Sequence, residues 1–237
     1  CLIVTGCLAK RYKEALVEEM PEVDAFIGVD EYDRLPEILH DLLGLNFPQT
    51  YGKCDRLLST KSWMAYLRIA DGCDNRCTYC AIPLIRGGYR SVPMENLIEE
   101  AKWLAAKGVK ELIIIAQDTT WYGLDLYRRR ALAELLQRLS EVEGIEWIRI
   151  HYSYPAAFPE DVLDQMAENP KVCRYMDIPL QHISDKVLDN MHRHVDGAWT
   201  RELIRKMRER VPGVVLRTTM IVGHPGEGKR DFNELLE

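Results

Sequence analysis

The densest concentration of reactive side chains is Cys73-x-x-x-Cys77-x-x-Cys80, a loop that also holds Asn75 and Arg76 and follows Gly72. Three thiolates on so short a segment can hold soft or borderline metals. A structural zinc site needs a fourth ligand, and the histidine nearest in sequence, His40, lies well upstream. A 4Fe–4S cluster on three thiolates leaves one iron without a protein ligand and open to a small molecule. A zinc loop closed by a distant His or Cys is the competing assignment. Cys1, Cys7, Cys54 and Cys173 bring the total to seven. An odd count with three in a tight group argues against a disulfide framework and for thiols kept reduced, as in the cytoplasm.

The elements that must position this loop follow from periodicity and caps. Residues 64–70 read as a strand that feeds directly into it. Pro93 then opens a helix with apolar positions Met94, Leu97, Ile98, Ala101, Leu104 and Ala105, stopped by Gly108. Residues 110–116 read as a buried strand, and Ala131, Leu132, Leu135, Leu136, Leu139 and Val142 stripe a helix. A strand at 146–150, a helix begun by Pro159 and a strand at 172–178 come next. Ser184 and Thr200 are expected to cap two further helices, a fifth strand spans 214–222, and a helix starts near Lys229. Five strand-plus-helix units in a row predict an α/β fold with a parallel sheet, doubly wound or barrel-like, with right-handed crossovers. Ligands of such folds sit at the C-terminal strand ends. Polar residues recur there: the cysteine loop, Gln117-Asp118, His151, Gln181-His182, and residues 223–227.

Upstream, residues 1–45 read strand, helix, strand, helix, with a short apolar stretch at 23–29. Asp33 is placed to cap the last helix, Leu35, Ile38, Leu39, Leu42 and Leu43 form one buried face, and Gly44 suits its C-terminus. Residues 46–62 lose all periodicity and read as a linker, dividing the chain into 1–45 and 63–237. The opening residues are not a signal peptide, and the final ones look like a helix cut in progress, so an internal piece of a longer protein is expected.

Composition excludes several classes. Hydrophobic residues make up 47% and charged residues 29%, which is globular rather than disordered or collagen-like. No apolar run approaches the roughly 18 residues of a membrane span. With 31 basic against 37 acidic residues the net charge is −6, which weighs against nucleic-acid binding through bulk electrostatics. Arg128-Arg129-Arg130 reads as a solvated helix face.

The octapeptide Cys73-Asp74-Asn75-Arg76-Cys77-Thr78-Tyr79-Cys80 resembles the signature loop of radical S-adenosylmethionine (SAM) enzymes. The resemblance implies a partial TIM-like (βα) barrel in which Cys73, Cys77 and Cys80 ligate a 4Fe–4S cluster and SAM binds the open iron. The chain is further similar to the methylthiotransferases through residues 4–12, Asp71-Gly72-Cys73, Ile82-Pro83, Arg86-Gly87 and Ile221-Val222-Gly223-x-Pro225-Gly226-Glu227. Residues 116–123, His151-Tyr152-x-Tyr154-Pro155 and residues 177–182 resemble the branch that modifies a ribosomal protein. That likeness implies methylthiolation of the β-carbon of an aspartate in small-subunit ribosomal protein uS12. The branch acting on tRNA adenosine usually has Gly-Gln-Asn where this chain has Ala116-Gln117-Asp118. Methylthiolation of tRNA adenosine, and a non-catalytic iron–sulfur electron carrier or zinc binding module, are the alternatives.

By the same resemblance Cys7 is one ligand of a second, auxiliary 4Fe–4S cluster whose other two ligands would precede residue 1. Read without it, Cys7 is equally a small buried hydrophobe. Cys1 reads as a buried strand residue, and Cys54 and Cys173 carry no assigned role. The family uses the turn at Gly223, Pro225 and Gly226 to accommodate SAM. Tyr79, Gln117 and Gln181 are candidate contacts to SAM or substrate, although either Gln could instead cap a helix. His151 and His182 read as hydrogen-bonded rim residues; Arg90 and Arg193 could attract an acidic substrate or simply pair at the surface. The chain departs from the family at Ser91-Val92-Pro93, where Ser-Arg-Pro is frequent, and at Gly228, where Thr is common. An electron donor and a sulfur donor are implied as partners. RNA contact would run through a C-terminal domain that, with the last barrel unit, is not in this sequence.

Overall fold

Two short strands near the N-terminus pair in parallel: β1 (Ile3–Thr5), followed by α1 (Cys7–Arg11) and α2 (Lys13–Glu19), returns alongside as β2 (Ala25–Ile27). A 3-10 turn at Tyr32–Arg34 leads into α3 (Leu35–Leu43). The computed structural model describes residues 1–44 and 56–237, so Cys54 and most of the expected linker lie outside the described residues. Three expectations change here. Cys1 is exposed and precedes β1, because a two-stranded sheet offers no layer to cover its end. Asp33 lies inside the 3-10 turn and caps nothing; Arg34 holds the N-cap position with no side-chain bond. The apolar stripe of α3 is only partly covered, with Leu42 and Leu43 exposed. Gly44 does end α3 in the left-handed conformation, its N–H donating to His40 O at 2.7 Å.

The main body is a five-stranded, wholly parallel sheet with strands in chain order, interrupted only by a small antiparallel pair. β3 (Met64–Arg68) runs into β4 (Ala70–Asp71), the cysteine loop, α4 (Ile82–Arg86) and β5 (Arg90–Ser91), which pairs back on β4. The units α5 (Met94–Ala106) and β6 (Glu111–Ile115), then α6 (Leu124–Tyr127), α7 (Leu132–Ser140) and β7 (Trp147–Ile150), follow. The chain continues through α8 (Asp161–Glu168), β8 (Val172–Asp177), α9 (Asp185–Asn190), α10 (Gly197–Arg210), β9 (Val215–Arg217) and α11 (Lys229–Leu236).

Alternation along the strands decides the faces. Ala65 and Leu67, Leu112 and Ile114, Ile148 and Ile150, Val172 and Met176 are buried in one apolar cluster with the helical residues Leu97, Leu104, Leu135, Leu139, Met166 and Met207. The intervening residues form the opposite face, where Tyr66 pairs with Ile113 and Ile113 with Arg149. That face is polar: Arg149 donates to Glu111 at 2.7 Å, and Arg217 to Asp177 at 2.8 Å. The result is an α/β, partial TIM-like barrel with helices packed outside and a polar interior.

Further local expectations are corrected. The fifth strand shrinks to Val215–Arg217, and pairing resumes only at the single bridge Gln181–Met220. Pro179 has no N–H to continue the ladder, and Gln181 turns at φ 73°. Thr200 lies within the first turn of α10; Asp196 is the cap, accepting from Trp199 N at 2.6 Å. Ser184 does occupy the N-cap position of α9, but its hydroxyl donates to Asp231 at 2.9 Å. The arginine triplet is a loop after α6, with Arg128 at φ 57° and Arg130 donating to Thr120 O at 3.0 Å.

Candidate active site

The cysteine loop leaves β4 through Gly72, whose φ is +80° and whose absent Cβ would sit 2.1 Å from Gly88 O. Only glycine tolerates both the left-handed backbone and that approach. Cys73 N then donates to Gly87 O at 3.2 Å, Arg76 turns at φ 47°, and Cys80 N donates to Cys77 O at 2.9 Å. These bonds fold the loop over the C-terminal end of the sheet, with Cys77 buried and Cys73 and Cys80 half-buried. All three thiols line one cavity of about 440 Å³. Gln117 after β6, Ser153 and Tyr154 after β7, and Gln181 and Arg193 after β8 line it too, as does Cys7 from the N-terminal unit.

Hydrogen bonds fix the first wall. Asn75 Nδ2 donates to Asp118 Oδ2 at 2.9 Å and reaches Cys73 Sγ at 3.5 Å. Asp118 is buried and also accepts from Thr120 N at 2.9 Å and Thr120 Oγ1 at 2.6 Å. Burial nonetheless raises its pKa, outweighing these donors. Burial likewise pushes up the pKa of the Cys73 thiol and of the Tyr79 and Tyr154 phenols. Tyr152 and Gln181 sit in the left-handed region at φ 62° and 73°, an arrangement that costs about 1–3 kcal/mol each and concentrates at functional sites.

Several cavity groups have no partner. Gln117 Oε1, Gln181 Oε1 and Arg193 Nε are buried side-chain atoms without a hydrogen bond among the described residues. Helix capping, the other option for the two glutamines, is therefore not what these oxygens do. Buried polar atoms of this kind are ordinarily satisfied, so these are open to a hydrogen bond with a polar group that enters the cavity. Among the described residues no three His, Cys, Asp or Glu side chains gather as a ready site for a single metal ion. The donor set fits a larger group: three thiols of one loop, facing a cavity that offers amide oxygens and a guanidinium. A 4Fe–4S cluster with an open iron and a small polar ligand has those requirements.

The other predicted residues are distributed unevenly. Tyr79 lines the cavity, its hydroxyl accepting from Arg193 at 3.2 Å. Cys7 is exposed and not a buried hydrophobe; Arg86, 3.9 Å from its sulfur through Nη2, donates from Nη1 to Asp71 at 2.9 Å. Gly223 and Gly226 do not line the cavity, and Pro225 borders a separate shallow pocket with Thr78 and Asn190. Their turn closes on itself through Glu227 Oε2, which accepts from Gly223 N at 2.6 Å and His224 N at 3.1 Å. His182 is buried, its Nδ1 accepting from Ser184 N at 3.0 Å. His151 lies 3.9 Å from Asp177, and burial lowers its pKa. Arg90 is exposed, whereas Arg193 is buried in the cavity wall and not paired at the surface. Sequence reasoning passed over Asp118, Asn75 and Tyr154 as site residues; only the Asp118-x-Thr120 spacing, a local capping signal, hinted at one of them.

Comparison with known proteins agrees with this geometry. The model of the radical SAM superfamily matches residues 67–237. A protein named ribosomal protein uS12 methylthiotransferase RimO from Cytophaga hutchinsonii is 52% identical over 242 residues, covering 99% of this chain and 52% of its own length. Its namesake from Acetivibrio thermocellus is 48% identical, covering 100% and 55%. The chain thus spans about half the length of the curated relatives it matches. Among solved structures, the cobalamin-dependent SAM radical enzyme OxsB, with aqua-cobalamin and SAM bound, superposes with a TM-score of 0.70. It is 14% identical, over 99% of this chain and 38% of that one. The radical SAM methyltransferase TsrM from Kitasatospora setae, with cobalamin and a [4Fe-4S] cluster bound, gives 0.58 at 20% identity, over 73% and 33%. A parallel barrel-like sheet, a three-cysteine loop after its first strand and a family match over most of the chain lead to one assignment: the chain belongs to the radical SAM superfamily.

Proposed function

We propose that this chain is part of a methylthiotransferase that adds a methylthio group to the β-carbon of an aspartate in ribosomal protein uS12. The observation that carries the reading is the meeting of four cysteines from two parts of the chain, Cys7 and Cys73, Cys77 and Cys80, around one cavity. The names of the relatives, of whose length this chain spans about half, support the substrate. A reduced 4Fe–4S cluster with SAM, when bound, supplies hydrogen-atom abstraction from an unactivated carbon.

In this reading Cys73, Cys77 and Cys80 hold the SAM-binding cluster, and Asn75 orients Cys73 by donating to its sulfur. Gln117 and Gln181 offer their unpartnered oxygens to donors on SAM or substrate, and Tyr79 packs beside them. Tyr154, under the buried thiol Cys77, helps exclude water from the reacting region. The turn at Gly223, Pro225 and Gly226 shapes the outer approach. Cys7 contributes one ligand to an auxiliary 4Fe–4S cluster, the site of the sulfur to be transferred. Residues 1–45 form the end of an N-terminal domain, 46–62 a linker and 63–237 the radical SAM core. A sulfur donor, an electron donor and RNA contact through a further domain complete the scheme, which belongs in the cytoplasm with the ribosome. Among the described residues no helix is long and apolar enough to cross a membrane.

Electron paramagnetic resonance (EPR) of the anaerobically reconstituted, reduced protein, with and without SAM, tests the class: the iron–sulfur signal changes on adding SAM. Replacing Cys73, Cys77 or Cys80 by Ala abolishes 5′-deoxyadenosine formation. Cys7→Ala leaves that product and removes the methylthiolated peptide, read by mass spectrometry. Methylthiolated adenosine in tRNA digests, with unmodified uS12 peptide, would overturn the substrate.

A further inference from the structure

Arg193 is a buried cation with no acidic partner. The residue is 2% exposed, and among the described residues it forms no ion pair with any carboxylate. Its Nη2 donates to Pro179 O at 2.6 Å, and its Nη1 reaches Tyr79 Oη at 3.2 Å and Cys77 Sγ at 3.5 Å. The guanidinium lies 4.2 Å from the centroid of the Tyr154 ring, and among the described residues Nε has no hydrogen-bond partner. A buried charge without a counter-ion is strongly unfavourable, and Arg193 lines the cavity, where an anion can reach it.

The backbone is bent to put it there. His192 and His194, on either side, are both left-handed at φ 54° and 56°. Arg193 N donates to Leu188 O at 3.0 Å, and Arg193 O accepts from Tyr154 Oη at 2.8 Å. Strained residues persist where their surroundings over-determine them, and here the strain aims one guanidinium at one sulfur. The three thiols of the loop are consequently unequal. Cys77 faces a cation, Cys73 only the neutral amide of Asn75 at 3.5 Å, and Cys80 has no side-chain donor among the described residues.

We propose that Arg193 is the fixed counter-cation of the 4Fe–4S cluster at its Cys77 corner, and that its hydrogen bond to this sulfur raises the cluster's reduction potential. The proposal rests on the reading that Cys73, Cys77 and Cys80 hold that cluster. Net charge and hydrogen bonds to sulfur set such potentials, and a cation favours the more negative, reduced form.

The test is an EPR-monitored dithionite titration of the reconstituted protein against Arg193→Met and Arg193→Lys, with iron content measured alongside. At the wild-type midpoint, Arg193→Met has at least a tenfold smaller reduced-to-oxidised ratio, equal to about 59 mV for a one-electron couple. Arg193→Lys, which keeps the charge, stays closer to wild type. If Arg193→Met loses iron while its metal-free form melts as wild type does and Arg193→Lys still loads, the charge is needed for the cluster, as proposed. An unchanged midpoint in a fully loaded Arg193→Met protein, or loss of iron from both variants, overturns the proposal. Failure of the wild-type protein to assemble an iron–sulfur cluster would instead overturn the reading beneath it.

Discussion

At Gly72 a single hydrogen atom decides whether the cysteine loop can form. The residue combines φ +80° with a 2.1 Å approach between its would-be Cβ and Gly88 O, so Gly72→Ala must move backbone against backbone. The left-handed conformation alone costs a non-glycine residue about 1–3 kcal/mol, and the collision adds to it. We expect Gly72→Ala to lower the urea unfolding midpoint and to lose most of its iron on reconstitution. Normal loading in this variant would show that the loop closes by another route. Other single residues act through burial. Burial pushes the pKa of Asp118 and of the cavity phenols Tyr79 and Tyr154 upward, and Arg193 is a buried guanidinium in the cavity wall.

Among the elements, the strands of the main sheet are the most predictable, because their buried face is continuous and β-branched or leucine-rich. The ends are less so, since a cap depends on which of several polar residues wins the backbone donor. Asp196 outcompetes Thr200 by sitting one turn earlier, where Gly197 lets α10 pass close to Ile183 O. Asp231 shows the same effect across elements: it accepts from Gly228 N at 2.8 Å, Ser184 Oγ at 2.9 Å and Lys186 Nζ at 3.1 Å, fastening α11 to α9. Gly228 N–H foremost, then Ser184 and Lys186, hold its pKa down to about 2. A carboxylate depressed in the folded state stabilises above its unfolded pKa, ~3.9, and loses that contribution as pH falls through the folded value. Melting curves of the metal-free protein should therefore fall more steeply between pH ~4 and ~2 for wild type than for Asp231→Asn. Parallel pH profiles would remove Asp231 from this role.

For the whole molecule, the informative contact is the one between the N-terminal unit and the barrel. Arg86 on α4 bridges Asp71 at the end of β4 and the sulfur of Cys7 on α1. As a partly exposed pair, Arg86–Asp71 is worth about 1 kcal/mol or less to stability. Its weight falls on alignment of the two units. In the proposed function, Arg86→Gln lowers methylthiolated product by about tenfold, the usual scale for a residue supporting metal ligands, while 5′-deoxyadenosine formation stays near wild type. Equal losses in both products would place Arg86 in the radical-generating half.

The sequence by itself determined the order of the five main strands and of the longer helices between them, the end of the sheet that carries the polar residues, and the loop of Cys73, Cys77 and Cys80. All of these are written in local spacing: periods of two and 3.6, glycine and proline punctuation, and thiols a few residues apart. Only the tertiary structure decided that Arg193 is a buried cation against Cys77, although the two lie 116 residues apart in the chain. The same holds for Cys7, exposed at the cavity instead of buried, and for Gly223, Pro225 and Gly226, which lie outside it. Burial and long-range pairing are properties of the packed whole, and a lone Arg or Cys has the same one-dimensional signature on a surface as in a site.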